Sequence, residues 1–200
     1  MVSDRCLLRV PTPPAVLGGV ALCVAMWILA VSGAQADGLD TRLYRLVRED
    51  AQTSALDRAM PVVTEFGAGY NIIGLALLGV ALGSDDQRRT GVLALSSVLA
   101  SGAVTATLKD AVGRSRPDGT NDHRSMPSGH TTGAFALATA LSHRYPEWRL
   151  PFYLGAVGVA VSRVYLGRHY PSDVLAGAVI GTSVSRLVLT QDAAILSFAF

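Results

Sequence analysis

Ser162 to Asp173 reads SRVYLGRHYPSD and lies between two apolar runs, Phe152 to Val161 and Val174 to Thr190. An arginine, a histidine and an aspartate therefore stand at the junction of two hydrophobic segments. If those segments cross a membrane, the junction is an expensive place for charge, because ionisable groups near hydrocarbon persist where they are paired or functional. The same twelve residues thus bear on both the fold class and the function.

Composition supports the membrane reading. Half of the 200 residues are apolar, 16% are charged, and the mean hydropathy is +0.37. Further apolar blocks run from Pro14 to Ala34, Val62 to Leu82, Gly91 to Leu108 and Thr131 to Leu141. Most approach the roughly 20 residues that cross a hydrocarbon core of about 30 Å. The fourth and fifth blocks are shorter, and their polar ends, SGHTTG and SRVY, extend them into a protein-lined cavity where polar ends are tolerated. The expected fold is an all-α membrane bundle of six transmembrane helices, one domain over residues 1–200. Gly79 with Gly83, and Gly177 with Gly181, have GxxxG spacing and read as generic close packing of helices.

Several classes are excluded. Cys6 and Cys23 offer neither a disulfide framework nor a CxxC metal site. A net charge of +2 without a basic tract gives no footprint for nucleic acid.

Arg5 and Arg9 precede the first run, and Ala34 and Ala36 form an A-x-A pattern of the signal-peptidase type. The run exceeds the usual h-region of about 7 to 15 residues, so it reads as an uncleaved span rather than a leader. From Asp37 to Met60 the chain is polar, yet Leu39, Leu43, Leu46 and Val47 recur at helical spacing. It reads either as an amphipathic helix on the membrane surface, able to cover a substrate entrance, or as a solvated connector. Glu65, near the outer end of the second run, is an intramembrane carboxylate and hence a functional candidate, with a structural hydrogen bond as the plainer reading. Ser84 to Thr90, SDDQRRT, reads as a tight turn between antiparallel spans.

At Lys109 the character changes. KDAVGRSRPDGTNDHRSMPSGH carries Lys109, Arg114, Arg116, His123, Arg124 and His130, and Lys109 is the lone lysine beside sixteen arginines. A compact ammonium at the end of an apolar run suits a site, though drift can leave one as well. Ser128 and Gly129 open the fourth run. In isolation Ser128 is a plain N-cap; the alternative is an anion nest built from helix N–H groups, with His130 beside it. His169 and Asp173 stand four apart, and Asp173 falls in the first turn of the last helix. Alone, such a pair is a structural contact; alternatively the carboxylate fixes the tautomer and frees the other ring nitrogen as nucleophile or base.

Parity relates these clusters. If each run crosses once, the end of the third, the start of the fourth, the end of the fifth and the start of the sixth share one membrane face, as a single site requires. Counting cations does not assign that face: with Lys109, Arg116 and Arg163 set aside, seven remain on each side. The N-terminal arginine pair and the A-x-A pattern favour an inside N-terminus and an outward-facing site in the cytoplasmic (inner) membrane.

Lys109-x6-Arg116-Pro117, Pro127-Ser128-Gly129-His130 and Ser162-Arg163-x5-His169-x3-Asp173 together resemble the three-part signature of the type 2 phosphatidic acid phosphatase superfamily. All eleven specified positions match in order. The resemblance implies a phosphatidic acid phosphatase type 2/haloperoxidase-like fold and a metal-independent phosphatase without cofactor. It implies that His169 attacks phosphorus to give a phosphohistidine, that Asp173 orients His169, and that His130 protonates the leaving oxygen and then activates water. Lys109, Arg116, Arg163, Ser128 and the Gly129 N–H would hold the phosphate oxygens. The apolar runs argue against the family's soluble haloperoxidases. The membrane branch acts on lipid phosphates and diphosphates, among them undecaprenyl diphosphate, phosphatidylglycerol phosphate and phosphatidic acid, and the motifs do not choose among these. Phosphotransfer to an acceptor other than water, or lipid-phosphate transport, stands as the alternative. His143 reads as a surface residue, and His123 and Arg124 lie beside the motif.

Overall fold

A computed structural model of the chain describes residues 38–192. The first apolar run, both cysteines, the A-x-A pattern and the C-terminal ILSFAF lie outside the described residues. Within them the chain is helical, in the order α1 (Leu39–Arg45) with a π-helical turn (Leu46–Asp50), α2 (Ser54–Glu65), α3 (Gly69–Leu82), α4 (Asp85–Val112), α5 (Gly129–Arg144), a 3-10 turn (Pro146–Trp148), α6 (Arg149–Tyr165) and α7 (Pro171–Leu189). α4 and α7 are each long and apolar enough to cross a membrane, and α2 with α3 makes a third if the bent pair is taken as one span.

Side-chain size, more than hydrophobicity, separates inside from outside. α5 lies at the centre, and its core contacts are small: Ala134 and Ala138 against Ala156 and Val159, Ala136 against Ile72 and Val98, Ala140 against Ala76 and Ala94. Larger residues such as Leu75, Leu78, Leu82, Leu99, Leu154 and Leu175 are exposed. A soluble protein does not leave so much apolar surface in water. In a bilayer small residues bring backbones together, and hydroxyls bridge helices. The GxxxG pair of α7 does this: a Cβ on Gly177 would stand 2.6 Å from the Ser128 carbonyl oxygen, and one on Gly181 2.3 Å from that of Thr132. Ser185 Oγ donates to the Ala136 carbonyl at 3.1 Å, and Thr105 Oγ1 to Thr132 Oγ1 at the same distance.

Two boundaries differ from the sequence reading, and a third follows it. The run Val62 to Leu82 is two helices bent by 51° around Phe66–Ala68. Pro61 removes one helix donor, and Gly67 lies so close to α6 and α5 that a Cβ would meet Val159 at 2.3 Å. Asn71 Nδ2 donates to the Glu65 backbone oxygen at 2.8 Å, and Tyr70 OH donates to the Glu65 carboxylate. Glu65 therefore bridges the bend. Second, Ser84 to Thr90 is no loop: α4 starts at Asp85, its N-terminus closed by the Ser84 N–H donating to Gln87 Oε1 at 2.9 Å. Third, α5 and α6 run past the short apolar blocks, taking in Gly129–His130 and Ser162–Tyr165 as expected of their polar ends.

α1 turns Asp40 inward, while Arg42 and Arg45 are exposed. Leu39, Leu43 and Leu46 are exposed while Asp40 is buried, which suits a helix lying on the bilayer with its leucines in lipid.

The α5–α7 contact yields a test. Gly181→Ala lowers stability in detergent by about 1–3 kcal/mol, the usual scale for overpacking. Gly74→Ala, whose Cβ would meet nothing within 4 Å, leaves the melting temperature unchanged or higher. Equal melting of the two variants contradicts the close approach.

Candidate active site

The three sequence clusters meet at one end of the bundle. α4 ends with Lys109, and the left-handed Gly113, at φ 60°, turns the chain out of the helix into the loop that carries Arg114 and Arg116. That loop returns through Ser125, and a cis Met126–Pro127 bond leads into Ser128 and α5. α6 delivers Arg163 in its last turn, Gly167 (φ 71°) reverses the chain, and His169 precedes α7.

His169 is buried, and its two ring nitrogens face different groups. Nε2 lies 3.4 Å from Arg116 NH1, and Nδ1 lies 3.6 Å from Asp173 Oδ2 with no hydrogen-bond partner among the described residues. A guanidinium can only donate, so the lone pair belongs on Nε2 and the proton on Nδ1, directed at Asp173. The Nδ1 distance is longer than a formed hydrogen bond; such contacts often tighten only in the substrate complex.

Asp173, with no exposed surface, is held on both oxygens. Oδ2 accepts from Ser125 Oγ at 2.6 Å and from the Tyr170 N–H at 2.9 Å, while Oδ1 accepts from Arg114 NH1 at 2.8 Å. Arg114 also reaches Asp40 of α1 at 2.7 Å and lies 4.2 Å over the Tyr170 ring. Asp40 in turn accepts from the Ser172 backbone N–H at 3.0 Å, at the start of α7. Arg114, Asp40, Ser125 and Ser172 were not singled out as site residues by the motif spacing. Arg114 stands two residues before the motif arginine and has the same chemistry, and Asp40 is 132 residues from the Ser172 that it binds, so neither carries a local signal.

The remaining candidates lie around the start of α5. Gly129 is exposed at the N-terminus of α5, and a Cβ there would lie 3.9 Å from Lys109 Cε, so the lysine chain passes beside the helix N–H groups. Lys109 Nζ donates to the Arg124 carbonyl, Arg116 Nε to Asp122 Oδ2 at 2.7 Å, and Arg163 NH1 to Thr64 Oγ1 at 2.9 Å. Arg116 acts electrostatically on both Lys109 and Arg163, and His130 lies among the charges of Arg163, His169, Glu65 and Lys109. Ser128 is buried, and its hydroxyl accepts from Thr131 at 3.1 Å instead of capping the helix. All eight candidate residues thus lie in one neighbourhood. His123 is outside it, bonded to Ser115 and Asn121 on the loop surface, and Arg124 pairs with the exposed Asp110. His143 is at the far end of α5.

Burial pushes the pKa of His169 below the ordinary histidine range; Asp173 opposes this, and Arg163 and Lys109 reinforce it. The ring is therefore neutral at neutral pH. The unfolded chain, with a histidine near 6.5, takes up the proton first as pH falls. Stability held above about pH 6.5 is consequently lost as pH drops toward the folded-state value. Melting in detergent between pH 7 and 5 should show this loss, and His169→Asn should remove part of it, up to about 1.4 kcal/mol per pH unit; an unchanged pH dependence contradicts the assignment. Breaking the buried pair by Arg114→Gln should cost about 3–5 kcal/mol, because two buried carboxylates lose their cation. Arg124→Gln on the exposed Asp110 pair should cost under about 1 kcal/mol. Similar losses in the two variants would refute the bracing role of Arg114.

Known proteins resemble this chain in sequence and fold. A lipid A 1-phosphatase of Rhizobium etli is 35% identical over 105 residues, 46% of this chain and 45% of that protein. The chain thus spans less than half the length of that relative. A decaprenylphosphoryl-5-phosphoribose phosphatase of Mycobacterium tuberculosis is 34% identical over 151 residues, covering 68% of this chain and 84% of the other. The crystal structure of a transmembrane PAP2 type phosphatidylglycerolphosphate phosphatase from Bacillus subtilis shares the fold, with a TM-score of 0.74 over 91% of this chain and 96% of that one, at 23% identity. The model of the PAP2 superfamily matches residues 90–195. A match over more than half of the chain, across a segment that contains all three motifs, makes this integral membrane chain a member of the PAP2 superfamily.

Proposed function

We propose that the chain is a metal-independent lipid phosphatase that hydrolyses a phosphomonoester or diphosphate of a membrane lipid through a phosphohistidine. The observation that carries this reading is the geometry of His169: Nε2 faces the guanidinium of Arg116 and Nδ1 faces a buried carboxylate. An anion placed at Arg116 meets the ring lone pair directly.

The steps follow from the residues. Lys109, Arg116, Arg163, Ser128 and the Gly129 N–H bind the phosphoryl oxygens, over which charge spreads in the transition state. The Nε2 lone pair of His169 forms the P–N bond as the bond to the leaving oxygen breaks, and Asp173 stabilises the imidazolium. His130 donates its proton to the leaving oxygen. The neutral His130 then takes a proton from water, whose oxygen attacks phosphorus; the P–N bond breaks and phosphate departs with His169 restored.

A lipid substrate is supported by an apolar cavity of about 510 Å³ between α2–α3, α5 and α6. Its lining includes Val63 and Phe66, which flank the Thr64 that receives Arg163. Relatives named for lipid A, decaprenyl and undecaprenyl phosphates bear on the class of lipid. In this reading the chain is a single domain of six spans, with the first over about 14–34, an interfacial segment at 37–60 and the site on the outward face of the cytoplasmic membrane.

Release of inorganic phosphate from a panel of lipid monophosphates and diphosphates, in detergent with a chelator, tests the proposal. The wild type should release phosphate from at least one of them, and His169→Ala and His130→Ala should each lower turnover by at least about 10³-fold, as loss of a nucleophile or general acid does. Turnover retained in His169→Ala contradicts the mechanism. Loss of substrate without phosphate release points instead to transfer to another acceptor.

A further inference from the structure

At the opposite end of the bundle, the C-termini of α5 and α7 and the N-terminus of α6 enclose a second cavity, of about 300 Å³. Ser142, His143, Arg149, Tyr153, Thr182 and Arg186 line it. Ser142 stands twelve residues after His130 on α5, and Arg186 thirteen after Asp173 on α7. At 1.5 Å per helical residue the cavity is about 18–20 Å from the catalytic end along the same two helices. With α4 and α7 as spans, the two sites lie toward opposite ends of the bundle, and so toward opposite headgroup layers.

Among the described residues, the two arginines of this cavity have no carboxylate partner. Arg149 and Arg186 make no ion pair or side-chain hydrogen bond among the described residues, whereas the neighbouring Arg144 is paired with Asp86. His143 is 3.7 Å from Asp192, the one carboxylate paired within this group among the described residues. Arg149 is the first residue of α6, the positive end of the helix dipole, where a cation is unfavourable and an anion favourable. Arg186, by contrast, suits its helix C-terminus and alone would need no further explanation. A second observation points to a ligand: Ser142 lines the cavity and is 4% exposed, and its buried hydroxyl has no hydrogen-bond partner among the described residues. Thr139 and Tyr153 satisfy each other at 2.9 Å, so Ser142 is left as an open donor.

We propose that this cavity binds the phosphodiester headgroup of an anionic phospholipid in the leaflet opposite the catalytic site. Two arginines and a buried hydroxyl supply donors for non-bridging phosphate oxygens, and basic pockets between membrane helices at a headgroup layer are suited to such lipids. The volume fits a headgroup. The same turns of α6 expose Leu150 and Leu154, which offer an apolar wall to acyl chains.

Binding is read as thermal stabilisation of the full chain in a neutral detergent, titrated with phosphatidylglycerol, with phosphatidylcholine as the zwitterionic control. The melting temperature should rise by several degrees with phosphatidylglycerol and by little with phosphatidylcholine. Arg116→Gln with Arg163→Gln should retain the shift, which separates this site from the phosphate-holding cations of the catalytic one. Arg149→Gln with Arg186→Gln should weaken binding at least tenfold, and Ser142→Ala should weaken it by a smaller factor. Should the double variant melt too low to titrate, Arg186→Gln alone, with native mass spectrometry of retained lipid, gives the same comparison. Equal shifts with both lipids, or a shift unchanged in the arginine variants, overturns the proposal. Inorganic phosphate reproducing the full shift in Arg116→Gln with Arg163→Gln would make this a free-anion site and overturns the headgroup assignment.

Discussion

A single buried carboxylate organises the functional end of this molecule. Removing an ion from water costs several kcal/mol even after relaxation, and the cost is offset only when every lone pair finds a donor. Asp173 meets that condition by drawing on separate pieces of chain: Arg114 and Ser125 from the loop after α4, and the Tyr170 N–H from the junction before α7. Its own backbone oxygen accepts from the Ser128 N–H at 3.0 Å, which fixes the start of α5 against the start of α7. Arg114 carries the constraint on to Asp40, so α1 is tied to the same point. Helix packing below this level is permissive alanine and glycine contact; the polar network determines where the helix ends stand.

The neighbouring cations are treated in the opposite way. Lys109, Arg116 and Arg163 lie close enough to repel one another, and Arg163 Nε is buried without a partner among the described residues. Arg116 has one carboxylate partner, Asp122, while Lys109 and Arg163 bond to a carbonyl and a hydroxyl, so the cluster keeps net positive charge beside the N-terminus of α5. A multivalent anion would complete the arrangement, and the contrast with the saturated Asp173 supports the proposed place of the phosphoryl group.

The parts legible in the sequence were those governed by spacing. Motif intervals and span parity together brought Lys109, His130, Arg163 and His169 to one end, because parity follows from counting crossings alone. Where the chain departs from uniform apolar runs, hydropathy was a poor guide. The bend at Phe66–Ala68 lies inside one hydrophobic block, and its cues, Pro61 and the closely packed Gly67, are about backbone and contact. The charged DDQRR was read as a turn although Ser84 and Gln87 form a helix-start pattern. Asp40 and Arg114 were invisible for a different reason: their partners are distant in sequence, and the leucine periodicity of α1 indicates an amphipathic helix without saying that Asp40 turns inward. Long-range polar contacts of this kind require the fold before they can be read.

The central claim is that His169 Nε2 becomes covalently bonded to phosphorus. The direct measurement is rapid alkaline quench of the enzyme with a lipid phosphate substrate, followed by peptide mass spectrometry under conditions that preserve acid-labile phosphoramidates. The account predicts a phosphoryl group on His169 during turnover of the wild type, and its absence in His169→Ala. Phosphate release at an undiminished rate with no phosphoryl group on His169, or a phosphorylated residue elsewhere, would contradict it.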